Sequence, residues 1–559
     1  MSQGSAHLLS AHQRLGAALL SLALCTMVTP SAFGHGDSVP RFVAPQGLDA
    51  GDCADAAAPC RSIMYAIEHA QKGDNVLLAK GSYAFDPKEA VLLVSDVIPV
   101  TGGYSTLDGY LNRDASDSQT FVIGLPAQYR ERLAKRGLTL IQDRKGLAIG
   151  HDRYAAQINA VATAPATIFC VGGLVGPYPC ENVNLLGLRP LATFSTLPSA
   201  ANDIWGFVDL NNGREYALLG LNNATAVVDL ARPRRSREVG SIPGESTVWR
   251  DIKVLQFFDR DEGRWKGYAY VVSDSTNDGL QIIDLTNLPF SVSLANTYTE
   301  FASAHNIYIS NVDYATGRAI PGRTPYAYIL GSNREGGAFR ILDLSDPLNP
   351  VEVTAPPTDA QYVHDASSIT LEGAEAERCG EKRTLCEVFI DYNETTVDLW
   401  DTTDKDNPVL MSETPYELSA YTHSGWWSED GNYVFIQDEI DELVSGINTT
   451  VRVLDITDPF APTLAAEWVG PTPAIDHNGF VKGDRYYMSN YRRGLTILDI
   501  SKPTEPTQIG FFDTYPDSDS ATFSGAWGVY PFFPSGRIVV SDIETGLFIL
   551  QEANQQQTE

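Results

Sequence analysis

Four histidines recur at similar intervals in the second half of the chain: His305, His364, His423 and His477. Neutral imidazole is a common protein ligand for zinc, copper, iron and nickel. If the fold brings these four side chains together, they predict a site for one transition metal ion, with Cu, Fe or Zn as candidates. The alternative is that each histidine caps a strand by hydrogen bonding and recurs because the structural unit recurs.

Large aromatic residues take the same place in the neighbouring repeats, which have no histidine. They are Trp205, Trp249 and Trp527. We expect them to pack around a common axis or, if a metal is bound, to line a pocket for a small ligand. Arg250 follows Trp249, and we expect it to neutralise Asp251 or to bind an anionic ligand.

Acidic residues also surround the histidines in sequence. Asp251, Asp365 and Asp476 are close to the repeated position, and we expect them to orient imidazoles or cap turns rather than to ligate a metal. Further carboxylates fall in hairpins expected on the same face, where they form a solvated surface, bind calcium or attract a cationic ligand. These are Asp274, Asp278, Glu335, Asp391, Glu394, Asp438, Glu439, Asp441, Glu442, Asp542 and Glu544.

A repeated unit must position these side chains. From about residue 200 it reads as an alternating apolar run, a turn, a second run ending in a hydrophobic pair plus Asp, and a Pro-rich turn. Those aspartates, spaced by 44 to 59 residues, are Asp229, Asp284, Asp343, Asp401, Asp455 and Asp499. The period matches a four-stranded blade, and the runs alternate and favour Val, Ile and Tyr as strands do.

We therefore predict an all-β fold with a seven-bladed β-propeller over residues 184–559. The first strand of each blade surrounds the axis, which would bring the four imidazoles to one mouth of the central channel. The segment 184–194 looks like a strand but precedes the first blade. We expect it to complete the last blade and close the ring, which hides both sheet edges.

The N-terminal third is organised differently. Residues 1–34 contain a short apolar run and a small-residue cleavage site, typical of a signal peptide. Cys25 lies in that run, but the bulky Leu24 before it argues against a lipoprotein. Residues 35–150 are expected to form a β-rich cap, since a helix near residues 60–70 followed by a strand resembles the opening of secreted β-helix proteins of the pectin-lyase type. Residues 151–183 would connect this cap to the propeller.

The remaining six cysteines fall into three close pairs and predict local disulfides in a secreted or periplasmic protein. Their spacings of six and nine intervening residues, without a nearby histidine, argue against a metal-thiolate site. The pairs are Cys53 with Cys60, Cys170 with Cys180, and Cys379 with Cys386.

Composition limits the partners. The 559 residues carry a net charge of -30, which argues against nucleic acid because phosphate binding needs clustered Lys and Arg. No apolar run in the mature chain is long enough to span a membrane. The sequence also contains no GxxxxGK, HExxH, GxSxG or CxxCH motif, so familiar nucleotide, hydrolase and haem chemistries have no local support.

The hydrophobic-pair-Asp repeats resemble LVIVD repeats. Together with SAHNIYI at 303, YTHSGWW at 421 and the terminal SGRIVVSDIETGLFIL, they resemble the choice-of-anchor B family of secreted bacterial proteins. That resemblance implies a propeller and export but no reaction. Members carry various C-terminal anchoring segments, whereas this chain ends eight residues after Gln551, so we expect a soluble secreted or periplasmic product.

Three functions stay open at this point. The first is a binding or interaction module with an axial four-histidine metal site, whose small-molecule, glycan or protein ligand is unknown. The second is a metal-dependent oxidative enzyme that uses the histidine ring. The third, suggested by the β-helix-like cap, is a polysaccharide-active protein, which would need paired catalytic carboxylates in a groove.

Overall fold

The computed structural model describes residues 39–70, 74–84, 98–123, 130–141, 158–354, 360–516 and 518–553. The predicted signal peptide, residues 1–34, lies outside these ranges. None of the helices in the described part of the chain is long and apolar enough to cross a membrane.

Seven antiparallel four-stranded sheets form the blades of a β-propeller, as the repeat period predicts. Blade 1 contains Ala201–Asp209, Arg214–Leu221, Ala224–Asp229 and Arg237–Pro243, and blade 2 contains Arg250–Asp259, Arg264–Ser273, Leu280–Asp284 and Ser293–Tyr298. Blade 3 contains Asn306–Ser310, Tyr326–Leu330, Arg340–Asp343 and Val351–Thr354, and blade 4 contains Asp365–Glu372, Leu385–Tyr392, Val397–Asp401 and Val409–Thr414. Blade 5 contains Thr422–Trp427, Tyr433–Asp438, Thr450–Asp455 and Thr463–Val469, and blade 6 contains Asn478–Lys482, Arg485–Asn490, Gly494–Asp499 and Thr507–Phe512.

Blade 7 is built from both ends of the propeller. Ala526–Tyr530, Arg537–Asp542 and Gly546–Glu552 supply three strands, and the fourth is Val183–Pro190 from the start of the domain. Its antiparallel register places Leu188 opposite Phe548. The predicted closure by residues 184–194 is therefore confirmed, and the two free sheet edges cover each other.

Two strand pairs extend these sheets, and one short helix interrupts a hairpin. The pair Val312–Asp313 and Arg318–Ala319 joins blade 2 beside its first strand. Tyr178–Glu181 and Leu174–Val175, in the connection before the propeller, add two strands to the outer edge of blade 6. A helix, Asp441–Ser445, lies between the second and third strands of blade 5.

The repeated aspartate has a local cause. It ends the third strand of each of blades 1 to 6, and its carboxylate accepts a hydrogen bond from the backbone N–H two residues later, which sets the turn. The N–H donors belong to Ala231, Thr286, Ser345, Thr403, Thr457 and Ser501. The repeat seen in sequence is thus a turn signal that follows every third strand of these six blades.

The cap consists of two three-stranded parallel sheets. Pro40–Val43, Asn75–Ala79 and Val100–Tyr104 form one, and Gly81–Ala84, Thr120–Ile123 and Leu138–Ile141 form the other. The helices Ile63–Glu68 and Arg130–Lys135 accompany them. One buried apolar cluster contains Val43 and Leu133 of the cap together with Trp249, Tyr421 and Trp527 of the propeller. The cap therefore covers the face of the propeller where the first strands begin.

All three predicted disulfides are present. They join Cys53 to Cys60, Cys170 to Cys180, and Cys379 to Cys386.

Candidate metal centre in the channel mouth

The four histidines stand side by side at the channel mouth. Each lies at or just before the start of a first strand, in blades 3 to 6. Neighbouring ring centroids are 4.3 Å apart for His305 and His364, 4.2 Å for His364 and His423, and 4.4 Å for His423 and His477. None is more than 3% exposed. The repeats therefore bring the four imidazoles into one buried row beneath the cap.

Backbone carbonyls fix the tautomers of two of these rings. Nδ1 of His364 hydrogen-bonds the carbonyl of His423 at 3.0 Å, and Nδ1 of His477 hydrogen-bonds the carbonyl of Trp527. A carbonyl can only accept, so Nδ1 carries the proton, and a neutral ring then presents an Nε2 lone pair. Each bond also ties a blade to the next one. Capping and metal ligation are thus compatible roles here, because they use different nitrogens.

Glu439 is the carboxylate nearest to the middle of the row. Its Oε2 lies 3.5 Å from Nε2 of His423, and its Oε1 lies 3.4 Å from Nε2 of His477. The hydroxyl of Tyr491 donates to Oε1 at 2.7 Å and holds the carboxylate in place. Glu439 is 1% exposed, so its charge is kept away from water beside two imidazoles.

One set of side chains has the spacing of a metal site. His364, His423 and Glu439 each offer a ligand atom, and the three atoms lie within 4.8 Å of one another. Within the described ranges it is the only such group of His, Cys, Asp or Glu. Two histidines and one carboxylate are the ligand set of many catalytic zinc sites and of non-haem iron oxygenases.

The carboxylates expected near the histidines have varied surroundings. Asp251 accepts the backbone N–H of Ile307 and pairs with Lys253, and Asp365 lines the channel below the imidazoles. Asp476 packs against Glu442 instead. The carboxylate that bonds His305 is Asp274, whose Oδ2 is 2.9 Å from Nδ1.

Arg250 does not neutralise Asp251, contrary to expectation. It lines the histidine cavity, but its guanidinium turns toward the rim, where Nη1 lies 3.2 Å from Asp278 and 2.7 Å from the hydroxyl of Ser273. The cation beside Asp251 is Lys253, whose Nζ is 2.7 Å from Oδ1. Residues in a strand alternate in direction, so Arg250 and Asp251 point to opposite sides while Asp251 and Lys253 point the same way.

A charged layer lies directly below the imidazoles and shares lining residues with their cavity. Burial, and then the charge of Asp251, raises the pKa of Asp203 well above its usual range. Burial alone would raise the pKa of Asp251, but the charge of Lys253 and the hydrogen bonds from Asp203, Ile307 and Lys253 together lower it. Burial also raises the pKa of Asp365 to about 7. Of this coupled pair, Asp203 is thus the carboxyl that binds a proton more readily.

Two of the three tryptophans line the histidine cavity: Trp249 and Trp527. Trp205 does not line this cavity, and the residue of blade 1 that does is Asp203. Its ring lies deeper, 5.2 Å from Tyr530 and 5.6 Å from Phe480, under the ammonium of Lys253. A β-bulge between Ala201 and Ile204 shifts the register of the first strand, which the spacing in the sequence does not indicate.

Sequence reasoning missed three functional side chains of the channel. Glu439 was recognised only as one of many hairpin carboxylates, and neither Asp203 nor Lys253 was singled out. Lys253 had a usable signal, since it lies two residues after Asp251 and so on the same face of the strand. Asp203 had none, because it lies in the bulge.

Comparison with known proteins agrees with the repeat pattern. The LVIVD repeat matches residues 480–514, which form most of blade 6. The protein is an LVIVD-repeat β-propeller. No curated protein matches the chain.

Solved structures resemble this LVIVD-repeat propeller only distantly. A Lactobacillus plantarum protein has 15% identity and a TM-score of 0.37, covering 61% of this chain and 89% of its own. Sqt1 of Saccharomyces cerevisiae has 9% identity and a TM-score of 0.40, covering 63% and 96%. A chain from the outer coat vertex of COPII on membranes has 9% identity and a TM-score of 0.42, covering 64% and 84%. Likeness at this level carries no argument about function.

Proposed function

We propose that this propeller is an exported binding module that holds one transition metal ion at the mouth of its channel. The ligands would be His364, His423 and Glu439, with His305 and His477 beside them. The observation that carries the proposal is the closeness of the three ligand atoms, within 4.8 Å, in a buried row of imidazoles. Bound there, the ion would act as a Lewis acid toward an oxygen or nitrogen atom of a ligand.

The surroundings support a small ligand rather than a large one. The cap covers this face, and Trp249 and Trp527 line the cavity. Lys253 and Asp203 lie below and could bind polar groups of the ligand. The three disulfides support export to an oxidising compartment, as the choice-of-anchor B resemblance implies. The two parallel sheets of the cap support a short β-helix of the pectin-lyase type.

Metal content tests the proposal directly. We expect protein purified from the periplasm or medium to carry about one Zn, Cu or Fe per chain by inductively coupled plasma mass spectrometry. The double variant His364→Ala, His423→Ala should lose it, and Glu439→Gln should weaken it. The matched control is His69→Ala, which removes an exposed histidine of the cap and should leave the metal unchanged. A native protein that is free of these metals and rebinds none would refute the proposal.

An oxidative metalloenzyme is the second candidate. The observation that favours it is the ligand set itself, since two histidines and one carboxylate leave coordination positions open for substrate and oxygen. The test is oxygen consumption by iron- or copper-loaded protein with small aromatic and alcohol substrates. Turnover that is lost in Glu439→Gln would favour the enzyme. Metal binding without turnover would leave the protein a binding module.

A further inference from the structure

A second group of acidic side chains is buried next to the histidine row, where blades 5 and 6 meet. Asp441 and Glu442 open the short helix of blade 5, and Asp476 lies in the loop that enters blade 6. None of the three is more than 2% exposed. The backbone N–H of Asp476 donates to Oε1 of Glu442 at 3.3 Å, which joins the two loops. Carboxylates from two blades are thus packed together away from water.

The local positive charge does not balance this group. Arg452 pairs with Asp441, with Nη1 2.8 Å from Oδ2. The neighbouring Asp438 is satisfied in another way, because two backbone N–H groups and the hydroxyl of Tyr416 donate to it. Arg452 is thus paired with Asp441, whereas the carboxylates of Glu442 and Asp476 gain no such set of donors.

Asp476 shows most clearly that this acidic group needs a compensating charge. It is 0% exposed, and neither Oδ1 nor Oδ2 has a hydrogen-bond partner among the described residues. Within the same ranges, Oε2 of Glu442 also has none. Burying a carboxylate without donors is strongly unfavourable unless a proton or a cation compensates it. All the unsatisfied atoms of these two side chains are oxygens. Hard cations such as calcium are bound by oxygen ligands, whereas transition metals are more often bound by nitrogen and sulfur.

We propose that Asp441, Glu442 and Asp476 bind a calcium ion that holds blades 5 and 6 together beside the channel. Calcium accepts six to eight oxygens at about 2.3 to 2.6 Å in a flexible geometry, whereas magnesium needs near-ideal octahedral ligation and keeps its waters. In the described part of the chain, only His364, His423 and Glu439 hold three ligand atoms within 4.8 Å of one another. The carboxylates of Asp441, Glu442 and Asp476 are farther apart, so they would have to move closer together to bind the ion. The calcium site uses none of the ligands of the proposed transition-metal site.

Calcium titration of the full chain tests the inference. After removal of metals with a chelator, isothermal titration calorimetry at pH 7.5 should give one calcium per chain and much weaker binding of magnesium. Calcium at 100 times its Kd should lower the equilibrium constant for unfolding about 100-fold, seen as a rise in Tm. Asp476→Asn should abolish both effects, and Glu442→Gln is the second variant should the first fold poorly. Glu505→Gln removes an exposed carboxylate from blade 6 and is the matched control.

The titration results distinguish the calcium site from the transition-metal site. Wild-type protein that binds no calcium, or variants that keep full affinity, would overturn the inference and leave protons as the compensating charge. The double variant His364→Ala, His423→Ala should still bind calcium while it loses the transition metal. Asp476→Asn should show the reverse, so failure of one site is distinguishable from failure of the other.

Discussion

Replacing Lys253 by methionine should destabilise the propeller strongly and in a pH-dependent way. The variant keeps an apolar stem but removes the ammonium, which lies 2.7 Å from Asp251 and over the ring of Trp205. The side chains of Lys253 and Asp251 are 10% and 4% exposed, so water cannot replace the lost partner. Asp203 and Asp365 bring no positive charge. The folded variant must therefore bind a proton on Asp251.

The size of the effect follows from the proton that Asp251 must take up. Its ordinary pKa is 3.8, and each pKa unit is worth about 1.36 kcal/mol. Keeping the carboxyl neutral in the folded state therefore costs about 4 kcal/mol at pH 7 and about 2 kcal/mol at pH 5. The larger value agrees with the roughly 3 to 5 kcal/mol lost when one partner of a buried ion pair is removed.

Urea unfolding followed by tryptophan fluorescence at pH 5, 6 and 7 measures this loss. The double variant Asp251→Asn, Lys253→Met leaves no unpaired charge and should recover most of the stability. Lys502→Met, which breaks an exposed pair with Glu505, should change stability by no more than about 0.5 kcal/mol. A loss below about 1 kcal/mol at pH 7, or an equal loss at pH 5 and pH 7, would refute the reasoning.

Three further predictions concern stability. Replacing Cys379 and Cys386 together by serine should lower the unfolding free energy by about 2 kcal/mol, as expected for a short closed loop, and an unchanged Tm would contradict this. Gly206→Ala should cost about 1 to 3 kcal/mol, because the new Cβ would lie 2.0 Å from the buried ring of Tyr530; a neutral result in urea unfolding would show that the ring can move. Burial raises the pKa of Glu544 to about 8, so its contribution to stability is complete below about pH 4.5 and is lost as the pH rises through 8. Metal-free protein should therefore gain stability from pH 8 to pH 6, and Glu544→Gln should flatten that gain.

The predictable parts of the fold depend on short-range interactions that recur in each blade. The aspartate that ends each third strand sets a turn within two residues, so its signal survives in the sequence. The histidine phase is equally visible, because each histidine begins a first strand. Glu439 could not be ranked among the other acidic residues, since its contact with His477 depends on how blades 5 and 6 pack. The position of Trp205 in the fold was not predictable, because a bulge adds residues to one strand only.

The cover over the histidine row was also beyond prediction. The cap shares no period with the blades, so no sequence spacing indicates which face it meets. Its apolar residues Val43 and Leu133 join the cluster around Trp249 and Trp527 only in three dimensions. The location of the candidate metal centre on the axis follows from the sequence repeat. Its burial follows from the packing of the cap, which the sequence repeat does not indicate.

The propeller ring can close only after the last strand of blade 7 has been synthesised, because that blade includes a strand from the start of the domain. Val183–Pro190 leaves the ribosome early, but its partner Gly546–Glu552 follows roughly 350 residues later. Until then this strand and the third strand of blade 7 cannot meet. A chain cut short anywhere in blade 7 would keep an open edge, which invites pairing with other chains and recognition by proteases. Ring closure therefore requires a chain that extends through the last strand of blade 7.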